Sequence, residues 1–398
     1  MNVAVETSVA ATSRAVSLPV VTTRFHRQSF FDYQIVRAMA QGHARAEDLH
    51  AAAARAKTPA DMVEAFTAQA NAAADQARWD NAAFYMRIAE FFCPRGSPAQ
   101  LQAYRTFLDW FDRGFADLSI TRHDVSYGDG SLPALHLRGS TPVKGRVVVF
   151  GGFDSLIEEF VSIWAAIADA GYEVVAFDGP GQGGARALHG LPFSHDWEGP
   201  VGAVLDHFGF DDVTLVGISM GGYWAIRAAA FEPRVRRVVA WPPVYDWLHQ
   251  LPRWIRPCVR AMVRWRSMMN LAIRLKMWLA PIMRHAIAQA LYLQGLDLDR
   301  GDPPMAAVDW LLGMNEDHLS SARVTADVLL LGGARDGFQP VGLLHAQAAA
   351  LTSARSVTTR IFTEDEHAAG HVQMSNLGLA IDEVIAWLDR MHETSPPR

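Results

Sequence analysis

The sequence predicts an α/β protein: a mostly parallel sheet with helices on both faces, joined to a helical N-terminal region and a helical insertion. Three observations carry this. Six short apolar runs between residues 145 and 367 alternate with helical patterns, which is how strands buried on both faces read. Residues 24–119 are rich in alanine, with apolar positions every three or four residues. Residues 245–322 interrupt the strand–helix alternation with a stretch far longer than a crossover needs.

The totals agree with one large core plus accessory helices. The chain has 398 residues, half of them hydrophobic, and a formal charge of −6. That balance argues against a general nucleic-acid binder. Cys93 and Cys258 lie far apart and offer neither a disulfide framework nor zinc spacing. A reducing cytoplasm fits them. Neither a cofactor nor a metal is expected.

Residues 1–23 read as a loose tail without the basic start and apolar core of a secretory signal. In the helical region 24–119, "DNAAFYMRIAEFF" (80–92) is the clearest pattern. "TPADMVEAF" (58–66) starts like a capped helix, with Thr58 as N-cap, Pro59 first and Asp61 in the first turn. No fixed repeat period appears. Residues 120–140 alternate around a Gly-Asp-Gly turn and read as a β-hairpin.

The α/β core is expected over 120–244 and 323–398. Its buried strands are "GRVVVFGGFDS" (145–155), "YEVVAFDGPGQGG" (172–184), "DVTLVGISMGG" (212–222), "VRRVVAWPP" (235–243), "ADVLLLGGARD" (326–336) and "VTTRIFTEDEH" (357–367). Helical patterns lie at 158–170, 196–208, 221–232, 338–351 and 375–391. The insertion 245–322 should sit over the carboxyl edge of the sheet, where open α/β sheets bind ligands. The best membrane candidate, 262–283, is broken by Arg264, Arg266, Arg274 and Lys276, so no membrane span is expected.

Gly217-Ile-Ser219-Met-Gly221 follows a strand and opens a helix. That context turns a G-x-S-x-G match into a nucleophile elbow, a tight turn holding a serine hydroxyl out at the sheet edge. A serine needs a base, and the base needs an acid to orient it. Asp336 follows a strand end directly, and Asp246 is the runner-up acid. His367 is the first histidine past the last strand and is favoured as base over His371. The bland reading of either histidine alone is a surface loop residue. Oxyanion donors are expected at the Met220 N–H and at Gly152 or Phe153 in the "FGGFDS" turn. "DGPGQGG" (178–184) lacks both P-loop and dinucleotide spacing, so it reads as a structural turn.

Together "VVVFGGFDSLIEE", "VVAFDGPGQGG", "GISMGGYWAIRAAAFEPRV", "GGARDGFQP" and "DEHAAGH" resemble the α/β-hydrolase superfamily, and more narrowly its FrsA-like branch with a helical N-terminal region. That branch includes 2,6-dihydroxypseudooxynicotine hydrolase and a fungal heptaketide hydrolase. The resemblance covers about residues 30–390. It implies an α/β-hydrolase fold, a Ser219–Asp336–His367 triad, and a cap formed by leader and insertion. It also implies cleavage of a carbon–carbon bond next to a carbonyl in an aromatic or polyketide small molecule. Ester or thioester cleavage, or acyl transfer, uses the same triad. A homodimer is compatible with such folds.

From Tyr245 to Gly295 the insertion carries Arg253, Arg256, Arg260, Arg264, Arg266, Arg274, Lys276 and Arg284 against Asp246 alone. Four tryptophans interleave with them. One reading is a cap whose cations meet substrate phenolates. The blander reading, a helical cap with a solvated basic face, is favoured. A membrane-surface helix is a third.

Overall fold

The computed structural model describes residues 18–139 and 141–394. Most of the expected tail lies outside the described residues. Its end is docked: residues 18–23 run without regular secondary structure, and the Val21 N–H donates to Ser375 O at 2.7 Å.

Five helices form the leader: α1 (Ser29–Ala40), α2 (Ala46–Ala53), α3 (Pro59–Ala74), α4 (Trp79–Phe92) and α5 (Pro98–Gly114). The start of α3 is a reciprocal cap. Thr58 Oγ1 accepts from the Asp61 N–H at 3.2 Å, and the Asp61 carboxylate accepts from the Thr58 N–H at 2.9 Å. Next come the hairpin strands β1 (Ile120–Tyr127) and β2 (Gly130–Leu137), then β3 (Arg146–Phe150), α6 (Val161–Asp169) and β4 (Glu173–Phe177). The short α7 (Gly183–Ala187) and α8 (Glu198–Phe208) precede β5 (Val213–Ile218), α9 (Gly221–Ala229) and β6 (Val235–Trp241). The insertion holds α10 (Arg256–Met262), α11 (Arg266–Leu279), α12 (Pro281–Leu293), α13 (Met305–Gly313) and α14 (Glu316–Leu319). The chain closes with β7 (Asp327–Gly333), α15 (Val341–Ala350), β8 (Ser356–Phe362) and α16 (Leu377–Thr394).

The eight strands form one sheet in the order β1-β2-β4-β3-β5-β6-β7-β8. The hairpin β1/β2 and the β2/β4 pair are antiparallel, and every pair from β4 to β8 is parallel. Both faces are covered, as the uninterrupted apolar strands require. Val147 and Val149 of β3 face one core, while Val148 and Phe150 face the other. The first core contains the leader as well: Phe31, Phe66 and Phe84 join Trp164 of α6 and Trp387 of α16. The leader is thus fused to one face of the sheet. The second core stacks Trp197 on Trp224 with ring centroids 4.3 Å apart.

Candidate active site

The elbow has the geometry that its glycines require. Ser219 follows β5 at φ +57°, a left-handed conformation costly for a side-chain-bearing residue. The turn holds it there. A Cβ on Gly217 would lie 2.0 Å from Gly221 O, and one on Gly221 would lie 2.7 Å from Gly151 O. The Ser219 N–H donates to Trp241 O at 2.6 Å, tying the turn to β6. Helix α9 starts two residues later, so its positive end lies beside the hydroxyl.

His371, not His367, meets this serine. His371 Nε2 stands 2.8 Å from Ser219 Oγ, and its Nδ1 stands 2.8 Å from Asp336 Oδ2. The other Asp336 oxygen accepts from the Phe338 and Gln339 N–H groups, each at 2.8 Å. The carboxylate is therefore held on both sides, and its fixed oxygen selects the ring orientation. His367 lies exposed in the turn after β8, where its N–H closes onto Glu364 O.

The sheet order gives the reason. β8 is the edge strand, separated from β5 by β6 and β7. A residue just past β8 remains at the edge. The chain must first cross the end of β7, and residues 368–370 do so in direct contact with Gly333. A Cβ there would come within 2.3 Å of Ala369 O. The Arg335 N–H donates to Ala369 O at 2.8 Å along the same crossing. His371 is the first histidine after it.

Asp246 does not meet either histidine ring of this pair. It caps the turn Trp247–Gln250, accepting from the Leu248 N–H at 2.7 Å. Its carboxylate, His249 and Glu316 have donor atoms within 4.8 Å of one another, the one such trio among the described residues that is close enough to share a cation. None of the three lines the cavity at Ser219.

The "FGGFDS" turn packs directly against the elbow. A Cβ on Gly152 would lie 2.8 Å from Ser219 Cβ and 3.0 Å from the Met220 nitrogen. The Gly152 N–H is already donated to Ser155 Oγ at 2.8 Å. Gln182, from the "DGPGQGG" turn, donates to Gly151 O and Gly152 O, each at 2.8 Å. Its own Oε1 accepts from the Gly179 N–H at 2.9 Å. That second turn is structural, as read from the sequence, and its particular job is to brace the first. Asp178 in it is buried. Burial, together with the nearby Glu158 charge, pushes its carboxyl up to about 8.

Leader residues reach this turn too. Arg37 binds Asp154 at 3.1 Å and Glu159 at 2.8 Å, and Arg87 binds Glu159 at 3.2 Å. Arg87 also donates to Asp154 O. No local signal in the leader marked Arg37 or Arg87. Ser155 and Gln182 carried a faint one, as polar residues inside glycine turns at strand ends.

Ser219 and His371 open into a cavity of about 320 Å³, a size suited to a small molecule. Leader, core and insertion all contribute walls, among them Tyr33, Phe153, Phe160, Ile287, Leu311 and Phe338. Burial pushes the Tyr33 phenol well above its ordinary range. The surface is overwhelmingly apolar. None of the insertion's Arg and Lys residues lines it. Arg266 pairs with Asp309 and Arg284 with Asp299 outside. The reading in which cap cations meet a substrate is thereby corrected; the cation on this wall is Arg37, from the leader.

A family profile described as "Serine aminopeptidase, S33" matches residues 141–369, more than half of the chain. The chain belongs to this α/β-hydrolase family. This α/β-hydrolase is 34% identical over 255 residues to the hydrolase LUC6 of Fusarium sp, covering 53% of this chain and 60% of that one. It is 35% identical over 210 residues to the 20-hydroxy-prefusarin hydrolase FUS2 of Gibberella moniliformis, covering 46% of this chain and 49% of that one. The matched region thus spans about half to three fifths of these relatives' own length. Among solved structures, the 2,6-dihydroxy-pseudo-oxynicotine hydrolase superposes with TM-score 0.60 at 17% identity, covering 89% of this chain and 94% of that one. AbyA5 superposes with TM-score 0.61 at 19% identity, covering 86% and 93%. At such identities these structures speak for the fold alone.

Proposed function

We propose that this α/β-hydrolase cleaves an acyl bond in an aromatic or polyketide-like small molecule, with Ser219 as nucleophile, His371 as base and Asp336 as orienting acid. The bond is a carbon–carbon bond next to a ketone. The observation that carries the reading is the Ser219–His371–Asp336 hydrogen-bond chain, 2.8 Å at each link, facing an apolar cavity. The printed name of FUS2, a 20-hydroxy-prefusarin hydrolase, supports a secondary-metabolite substrate.

Ser219 Oγ attacks the ketone carbon while His371 Nε2 takes its proton. Met220 N–H and Phe153 N–H hold the oxyanion; the Gly152 N–H is engaged by Ser155 and serves to shape the turn. The tetrahedral adduct collapses, the carbon–carbon bond breaks, and its electron pair leaves on carbon. Protonated His371 returns the proton to that carbon. Water, deprotonated by His371, then hydrolyses the acyl-serine to a carboxylic acid and regenerates the hydroxyl. The leaving carbanion must be an enolate or an electron-rich ring. The apolar wall admits a neutral aryl ketone, and charge on the departing carbon is met by the proton that His371 returns.

The second reading is ester or thioester cleavage, or acyl transfer to an alcohol giving an ester or lactone. It uses the same residues with an easier leaving group. A matched aryl β-diketone and aryl ester, followed by mass spectrometry with and without added alcohol, separate the two. Diketone cleavage that is lost in Ser219→Ala supports the first reading. Ester cleavage or ester formation alone overturns it in favour of the second. Full activity in Ser219→Ala would overturn both.

A further inference from the structure

We propose that the outer face of α11, with the tryptophans that flank it, docks this protein on an anionic lipid bilayer. The reading does not depend on which bond the enzyme cleaves.

Large apolar side chains stand in solvent here: Trp254 is 76% exposed, Trp265 66%, Leu271 70%, Leu275 59%, Trp278 79% and Leu279 68%. More than half of the exposed large hydrophobics among the described residues fall between 254 and 279. They are arranged by the helical period. Positions 268, 271, 275, 278 and 279 share one arc of α11. Met277 and Ile273, on the opposite side, are packed into the cap. Arg274 and Lys276 stand at the two edges of the exposed arc. This is the pattern of an interfacial helix, with an apolar face sunk at the headgroup boundary and long cationic side chains reaching up beside it. Tryptophan favours the same depth.

Charge decides the occupant. Residues 247–296 contain eight Arg and Lys and no Asp or Glu, in a chain whose formal charge is −6. Arg260, Arg264 and Lys276 make no ion pair with any described residue, and all are exposed. A second copy seated on this face would set two such basic segments against each other. An anionic lipid surface meets both features at once, since each basic residue near it gains from the surface potential. Among the described residues no helix is long and apolar enough to cross a membrane, so the contact is peripheral.

The surface is continuous with the cavity roof. α11 packs on α12 and α13, which supply Ile287, Ala290, Ala307 and Leu311 to the cavity wall. Docking there sets the roof of the apolar cavity against a medium in which apolar substrates concentrate.

The test is co-sedimentation of the full chain with vesicles of phosphatidylcholine containing about 30% phosphatidylserine, against phosphatidylcholine alone. Binding to the anionic vesicles is expected, with loss at about 0.5 M salt. Leu275→Ser with Trp278→Ser should abolish it. Lys276→Glu should weaken it by about fivefold or more. Unchanged melting temperatures show that these exposed-site variants fold. Equal binding by the double variant, or no binding of the unmodified chain to anionic vesicles, overturns the proposal. So does a dimer in sedimentation equilibrium that the double variant dissociates, because a second copy would then own the face. Binding to an acidic protein in preference to the vesicles overturns it likewise.

Discussion

Ser219 at φ +57° and His371 with both ring nitrogens engaged are each placed by short, fixed contacts, so single substitutions report on them cleanly. His371→Ala is expected to lower kcat by about 10³-fold or more, as loss of a base in such a unit does. His367→Ala should leave kcat within about twofold, because that ring is exposed in a turn. Steady-state kinetics on the cleaved substrate decide between them, and the reverse order would restore His367. Ser155 acts one step further out. Its hydroxyl orients the Gly152 N–H at 2.8 Å, and so aims the neighbouring Phe153 N–H. Ser155→Ala should reduce kcat by about tenfold with little change in KM. A change in KM alone would mean that Ser155 shapes the substrate wall instead.

At the scale of elements, the strands end where glycine turns begin, and the turns carry Ser219 and Asp336. The "FGGFDS" turn is braced from one side by Gln182 and from the other by Arg37 and Arg87. Arg37→Ala removes a buried cation from between Asp154 and Glu159, whose side chains lose a partner. The expected cost is about 3 kcal/mol, read from denaturant unfolding. By contrast Thr58→Ala removes only the cap of α3 and should cost about 1 kcal/mol with unchanged kinetics. Equal losses from the two variants would mean that the Arg37 network is no tighter than a surface cap.

Across the whole molecule the leader, core and insertion share one site. Their joint is aromatic: His285 of α12 lies against Phe91 and Phe92 of α4, with ring centroids 5.5 and 5.6 Å away. Burial, and then the Arg95 charge, pushes its imidazole down to about 3. The unfolded chain takes a proton near pH 6.5, and the folded one refuses it until near pH 3. This contribution to stability is therefore present above about pH 6.5 and lost as the pH falls toward 3. Melting temperatures measured from pH 7 to 4 should fall less steeply in His285→Phe than in the parent chain. Parallel slopes would show that another group governs acid unfolding.

Much of this was legible locally. The alternation of apolar runs and helices announced the sheet. The glycines of 217–221 announced the elbow, and Asp336 could be found because it directly follows its strand. These features depend on neighbours in sequence, through strand periodicity and the steric limits of a turn. The histidine that meets Ser219 could not be found that way. Reaching Ser219 from the edge strand β8 requires crossing β7, and the number of residues that takes depends on strand order, which no local pattern encodes. Arg37 and Tyr33 lie more than a hundred residues from the loops they meet, and only packing brings the leader onto the sheet. The fate of the cap cations was equally nonlocal: sequence shows that the insertion is basic, but only the packing of α12 and α13 decides that apolar residues turn inward and the charges face out. The sequence by itself determined the fold class, the strand–turn–helix at Ser219 and the place of Asp336 after its strand, because each is written in contiguous residues. Tertiary structure alone decided which histidine meets Ser219, the braces and the cavity wall, because these are set by distances between strands and helices far apart in the chain.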